Sequence, residues 1–103
     1  MKDVTIRAGT IDDFDALDII RTAAFAPVFA SFRSLVGTTI ASVAFRDAEG
    51  EQQTHLRELL APGESRIMLV AERDGVAGGF CAVTWNAKTG VGEIGLNAVH
   101  PSA

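Results

Sequence analysis

The hydrophobic period of this chain changes from helical to extended at Pro62, and that change limits the folds open to it. Between a short opening segment and Pro62-Gly63 apolar residues recur at helical spacing; after it they run in extended segments. Ile67-Met68-Leu69-Val70-Ala71-Glu72 is a nearly continuous apolar run, the pattern of a central strand. Asp74-Gly75 marks a hairpin turn, because glycine accepts the positive φ that a tight turn needs. Val76 to Asn86 reads as the return strand, with Phe80, Ala82 and Thr84 on one face. The Gly78-Gly79 pair inside it predicts a bulge or a close backbone approach. After the loop Ala87-Lys88-Thr89-Gly90, a fourth strand is predicted over Gly92 to Val99. Strict alternation would set Ile94, Leu96 and Ala98 on one face, and Glu93, Gly95 and Asn97 on the other. His100-Pro101 stops it.

The first half begins with Val4-Thr5-Ile6-Arg7, an alternating β-branched segment that reads as a short strand. Thr10, with Asp12 and Asp13 close behind, is a helix start: a Thr cap, acidic residues at the positive end of the helix dipole, and an acidic variant of the capping box. The helix is predicted over about Ile11 to Ala26, with Phe14, Leu17, Ile20 and Ala24 as its buried stripe. Pro27 is expected to interrupt it. Val28 to Phe45 reads as one or two short helices broken near Gly37-Thr38, and Glu51 to Leu60 as another, with Leu56, Leu59 and Leu60 on its apolar side. The order is a strand, two to four helices and three antiparallel strands, an α+β plan in one domain over residues 1–103.

Composition narrows the functions. Nine basic residues against 13 acidic ones give a net charge of −4, with no Lys/Arg cluster, so nucleic acid is not an expected partner. No uncharged run reaches the ~20 residues of a spanning helix (Thr22 to Phe32 has 11, and the longest, Gly75 to Ala87, has 13), so no membrane partner is expected either. Cys81 is the only cysteine, which excludes an intrachain disulfide and a zinc site built on a Cys pair. No His/Asp/Glu group has metal-ligand spacing, and no metal is expected. Without a signal-peptide core at the N-terminus, a cytoplasmic location is the default expectation.

The order of elements and three stretches of sequence resemble the GNAT family of acetyl-CoA-dependent N-acyltransferases. The stretches are Val4-Thr5-Ile6-Arg7-Ala8-Gly9-Thr10-Ile11-Asp12-Asp13, Ile67 to Phe80, and Gly92-Glu93-Ile94-Gly95-Leu96-Asn97-Ala98-Val99-His100-Pro101. The resemblance implies a GNAT-like mixed sheet, here incomplete, and transfer of an acetyl group from acetyl-CoA to a small-molecule or peptide amine. In the family a Gly/Arg-rich loop that cradles the coenzyme A pyrophosphate comes after the Val-x-Pro stretch. Here Ser102-Ala103 takes that position, so the expectation is a partial domain cut before that loop, with weak or absent acetyl-CoA binding and no activity of its own.

The resemblance also implies roles. Glu93 takes the place of the strand-4 glutamate that removes the amine proton in the histone-type branch; the alternative is a solvated glutamate at a strand start. Ala98 and Val99 would meet the pantetheine amides through their main chain, and Asn97 would hold cofactor, substrate or water; the alternatives are an ordinary strand end and a surface polar residue. The leaving-group acid, commonly a tyrosine, has no counterpart, because the chain has no tyrosine. Cys81 reads as a buried structural thiol, His100 as a polar turn residue and Trp85 as a core or edge anchor. Phe29, Phe32 and Phe45 form either one wall of the acceptor groove or core packing. The competing reading is a non-enzymatic remnant or interaction module that pairs, with a second copy or another partner, through the exposed edge of the fourth strand.

Overall fold

Three local devices set the frame. At the hairpin, Asp74 and Gly75 both take positive φ (56° and 77°), the geometry that joins two twisted antiparallel strands through a two-residue loop. At the first helix start, Thr10 is extended and its N–H donates to the Asp13 carboxylate (2.8 Å), the half of the capping box that an acidic residue supplies. At the end of that helix Gly37 takes φ 83°, and its N–H donates to the Arg33 carbonyl (3.0 Å).

The computed structural model describes residues 3–37, 40 and 47–102. Strand β1 (Thr5–Ala8) passes through a 3-10 turn (Ile11–Asp13) into helix α1 (Phe14–Val36). Helix α2 (Ala48–Leu60) then precedes β2 (Arg66–Arg73), β3 (Val76–Asn86) and β4 (Val91–Val99). The sheet has the order β1-β2-β3-β4 and every neighbouring pair is antiparallel, so no parallel pair occurs among the described strands.

Two expectations about the helices change. Pro27 lies inside α1 and does not end it. Proline removes one N–H and crowds the carbonyl four residues back, but Pro27 is exposed, on a side of the helix that water reaches. Residues 28–36 therefore continue α1 and are not a separate helix, and Phe29 and Phe32 are part of it. Val43 and Phe45 lie outside the described residues. The stretch Ile11–Val36 contains an 18-residue window of mean hydropathy 1.3 and is also long and apolar enough by length and composition to cross a membrane, a test the core helix of a soluble protein passes equally. Its short uncharged run alone does not reveal this. In this fold Leu17 and Ile20 are seated on the sheet, and the neighbouring Arg21 is 4% exposed. Its guanidinium donates to Asp18 (2.8 Å) and to Gln52 of α2 (2.8 Å), so a buried charge joins the two helices.

Leu17 and Ile20 of α1, Leu56 and Leu60 of α2, Met68 and Val70 of β2, Phe80 and Ala82 of β3 and Ala98 of β4 form one core cluster. Each large side chain buried there contributes about 1.5–3 kcal/mol. Both helices thus cover the same face of the sheet. A charged cluster closes that face at β1: Arg7 donates to the Glu72 carboxylate and, through two nitrogens, to Asp13 (2.7 and 2.9 Å). The Arg7 hydrogen bond first, and the Thr10 N–H and the Arg7 charge besides, hold the Asp13 carboxyl below its usual range; Asp13 and Glu72 in turn raise the Arg7 guanidinium.

Candidate active site

The C-terminal half of β4 is built by two irregularities. Ala71 pairs with Gly79 while Glu72 pairs with Ala77, so Gly78 is an extra residue on β3, as the glycine pair predicts. The second has no glycine-pair signal in the sequence. Cys81 pairs with Asn97, but Val83 pairs with Ile94, so β4 carries one residue more than β3 between these points, within Gly95–Leu96.

That extra residue reverses the alternation of β4. Residues opposite one another in an antiparallel pair share a face. Ala98 lies opposite buried Phe80, and Glu93 opposite Thr84, so both belong to the helix-covered face. Ile94 lies opposite Val83 and Asn97 opposite Cys81, on the other face. Glu93 and Asn97 therefore do not project to one side, and Ile94 does not share a face with Leu96 and Ala98. Leu96 packs against the core, whereas Ile94 is 67% exposed. The Asn97 amide donates back to the Gly95 carbonyl (3.3 Å), across the irregular stretch.

The outer side of β4 is free of strands among the described residues. The His100 N–H donates to the Gly78 carbonyl (2.8 Å) and continues the same register. By the alternation of an antiparallel ladder, the main-chain groups of Ala98 then turn toward β3, and those of Asn97 and Val99 face outward. Gly79 lets the two strands lie close here: a Cβ on it would stand 3.2 Å from the Ala98 carbonyl oxygen, a tight contact. Together these features make an edge that accepts an extended, amide-bearing ligand as an added strand.

Beside the end of β4 lies a cavity of about 650 Å³. It is lined mainly by apolar side chains, among them Val4, Ile19, Ile20, Val76 and Val99, with Glu72, Arg73, His100 and Ser102 as polar members. The His100 Nδ1 accepts the Ser102 N–H (3.1 Å) and stands 2.8 Å from the Ser102 Oγ. An Nδ1 that accepts an N–H leaves the proton of a neutral ring on Nε2. His100, read from sequence as a turn residue, is thus a cavity residue; its place before Pro101 at a strand end is the available signal. Glu93 lies toward the other end of β4, exposed and away from this cavity. Cys81 is half-buried and Trp85 is 44% exposed, so neither is a core residue. Among the described residues no group of three His, Cys, Asp or Glu side chains is arranged to hold a metal.

No family model and no curated protein matches this chain. Solved structures do. PaiA N-acetyltransferase from Thermoplasma acidophilum, in complex with coenzyme A, superposes with a TM-score of 0.65 at 16% identity, over 97% of this chain and 60% of that one. The chain has the GNAT fold. A GNAT family acetyltransferase from Brucella melitensis, in complex with acetyl-CoA, matches 99% of this chain and 58% of its own at a TM-score of 0.56 and 24% identity. Ribosomal-protein-alanine N-acetyltransferase from Brucella melitensis biovar Abortus 2308 matches with a TM-score of 0.52, 17% identity and 97% and 59% coverage. This chain therefore spans about 60% of the length of the GNAT structures it matches.

Proposed function

We propose that this chain carries the strand-4 half of an N-acetyltransferase site, in which acetyl-CoA lies along the outer edge of β4 and an amine is acetylated beside it. The observation that carries the reading is the GNAT fold combined with an unpaired β4 edge, toward which Asn97 and Val99 turn their main-chain groups. An extended pantetheine arm bears two amides, and these complement an N–H and a C=O presented at strand spacing. Ala98 contributes by fixing β4 to β3 rather than by facing the ligand, and the Asn97 side chain by holding the irregular stretch.

In this reading the amine nitrogen attacks the thioester carbonyl, a tetrahedral oxyanion forms, and the thiolate leaves. The extra residue at Gly95–Leu96 frees main-chain groups from the β3 ladder close to where the carbonyl would lie, which suits an N–H to the developing oxyanion. Glu93 is exposed and two residues before this stretch, on the helix-covered face. It serves as the base through a bridging water, since roughly 7 Å of strand separates it from Gly95. The chain has no tyrosine to protonate the thiolate, and no residue of it is assigned that step.

Coenzyme affinity in this chain is low in the same reading. The site offers main-chain groups but no Lys/Arg cluster, and the net charge of −4 repels an anionic coenzyme. Titration with acetyl-CoA, followed by amide NMR, tests it. The expected result is a dissociation constant near millimolar, about −4 kcal/mol, with shifts concentrated on residues 95–102. No shifts there at saturating coenzyme overturns the β4-edge reading. Micromolar binding overturns the affinity argument.

A further inference from the structure

Three polar residues stand in a row across the helix-covered face, at the end of the sheet where β4 begins. Arg66 of β2 lies opposite Thr84 of β3, and Thr84 lies opposite Glu93 of β4. Residues opposite one another share a face, so the row reads cation, hydroxyl, carboxylate over three neighbouring strands. Thr84 is half-buried and is the short member, so a notch lies above it, between two long charged side chains.

Neither end of the row is neutralised by the protein. Among the described residues Arg66 and Glu93 form no ion pair, with each other or with a third group. The Arg66 Nη2 donates to the Pro62 carbonyl (3.1 Å), while its Nε is buried and has no hydrogen-bond partner among the described residues. A Cβ on Gly63 would overlap the guanidinium, so the loop before β2 runs directly beside it. The loop thus holds one edge of the cation and supplies no anion to it. A guanidinium with donors left over is costly, and the group that matches it best is a carboxylate, two oxygens to two N–H.

The row has a direction: its cation is on β2, and its anion is on β4, the strand along which the coenzyme is placed. Main chains two strands apart are separated by roughly 10 Å. Hydrogen bonds at the two ends, direct or through one water, take up most of that span. What is left suits a ligand whose positive and negative groups are close together. We propose that the acceptor is a free amino acid with its amine one or two carbons from its carboxylate. The carboxylate lies on Arg66, and the amine lies on the Glu93 side of the Thr84 hydroxyl. The proposal rests on the acetyltransferase reading for the fate of the amine, though not for its binding. It disfavours a peptide N-terminus, where a neutral amide replaces the carboxylate.

Amide NMR of the 103-residue chain during separate titrations with glycine, glycinamide and acetate tests it. Glycinamide keeps the amine and exchanges the carboxylate for a neutral amide; acetate keeps the carboxylate alone. Glycine is expected to move the resonances of Arg66, Thr84 and Glu93 with a midpoint roughly fivefold below that of either other probe, the effect of one partly exposed ion pair. Arg66→Gln should bring glycine to the level of glycinamide, and Glu93→Gln should bring it to the level of acetate. Equal midpoints for glycine and glycinamide on the parent chain overturn the proposal, and that comparison needs no variant. So do glycine shifts that Arg66→Gln leaves unchanged, or the absence of shifts along the row with all three probes. The coenzyme titration reads residues 95–102 instead, so a failure of the acetyl-CoA reading and a failure of this one are told apart.

Discussion

Glu93 and Asn97 project from opposite faces of the sheet although they are close neighbours on one strand. A single extra residue between them produces this, because the side-chain period of a strand is two and a one-residue insertion turns every later side chain to the opposite face. The inversion assigns the two residues different tasks. Glu93 remains open to solvent on the side where the helices lie, while Asn97 ties its own amide to Gly95.

Glu93→Gln tests the first task. In a catalytically active chain carrying this segment, the substitution should lower kcat about a hundredfold at neutral pH, the lower end of a general base's contribution. The KM for acetyl-CoA should stay within about twofold, since in the proposed reading Glu93 acts on the amine and does not grip the coenzyme. Steady-state kinetics checks both; an unchanged kcat removes Glu93 from the mechanism.

Gly79→Ala should loosen the end of β4. The new Cβ would meet the Ala98 carbonyl oxygen at 3.2 Å, which β4 relieves only by moving outward. A loss of about 1–3 kcal/mol is expected. The amide resonances of Ala98 to His100 should move most, and hydrogen exchange there should quicken, before any change at β1.

Asp13→Asn should cost about 1 kcal/mol at pH 7, the usual value of a helix-start carboxylate. The pH dependence has a definite sign. Arg7 first, and the Thr10 N–H besides, lower the Asp13 carboxyl in the folded state. Its contribution is therefore complete above the unfolded value, near 4, and is lost as pH falls through the lower folded value. Urea unfolding should show parent and variant separated at pH 7 and converging at the acid end.

Arg21→Ala should destabilise by about 3–5 kcal/mol, because it strips a buried charge from partners on both helices and removes the cation beside Asp18. For a domain of this size that is a large share of the total stability. Thermal unfolding by circular dichroism should show a broad or absent transition. Arg21→Met, which keeps the volume without the charge, should lose less.

Much of the fold was legible in the residues because its signals are local. The period change at Pro62, the Asp74-Gly75 turn, the Thr10 helix start and the Gly78-Gly79 bulge each depend on a few neighbouring residues, and each forms where the chain predicts it. The site was less legible. Its strand and its candidate residues were readable, yet the outward direction of the Asn97 and Val99 main chain depends on which pairs of the β3–β4 ladder are hydrogen-bonded. Nothing within β4 states that.

What the chain's own chemistry determined is the α+β order, the hairpin, the helix start and the apolar stripe of Leu17 and Ile20. Tertiary structure alone decided that α1 continues past Pro27, that Arg7 meets Glu72 across β1 and β2, and that β4 gains a residue against β3. The reason is physical. Turns and caps are satisfied by atoms a few residues away, whereas register, burial of a charge and tolerance of a proline depend on surfaces brought together from distant parts of the chain.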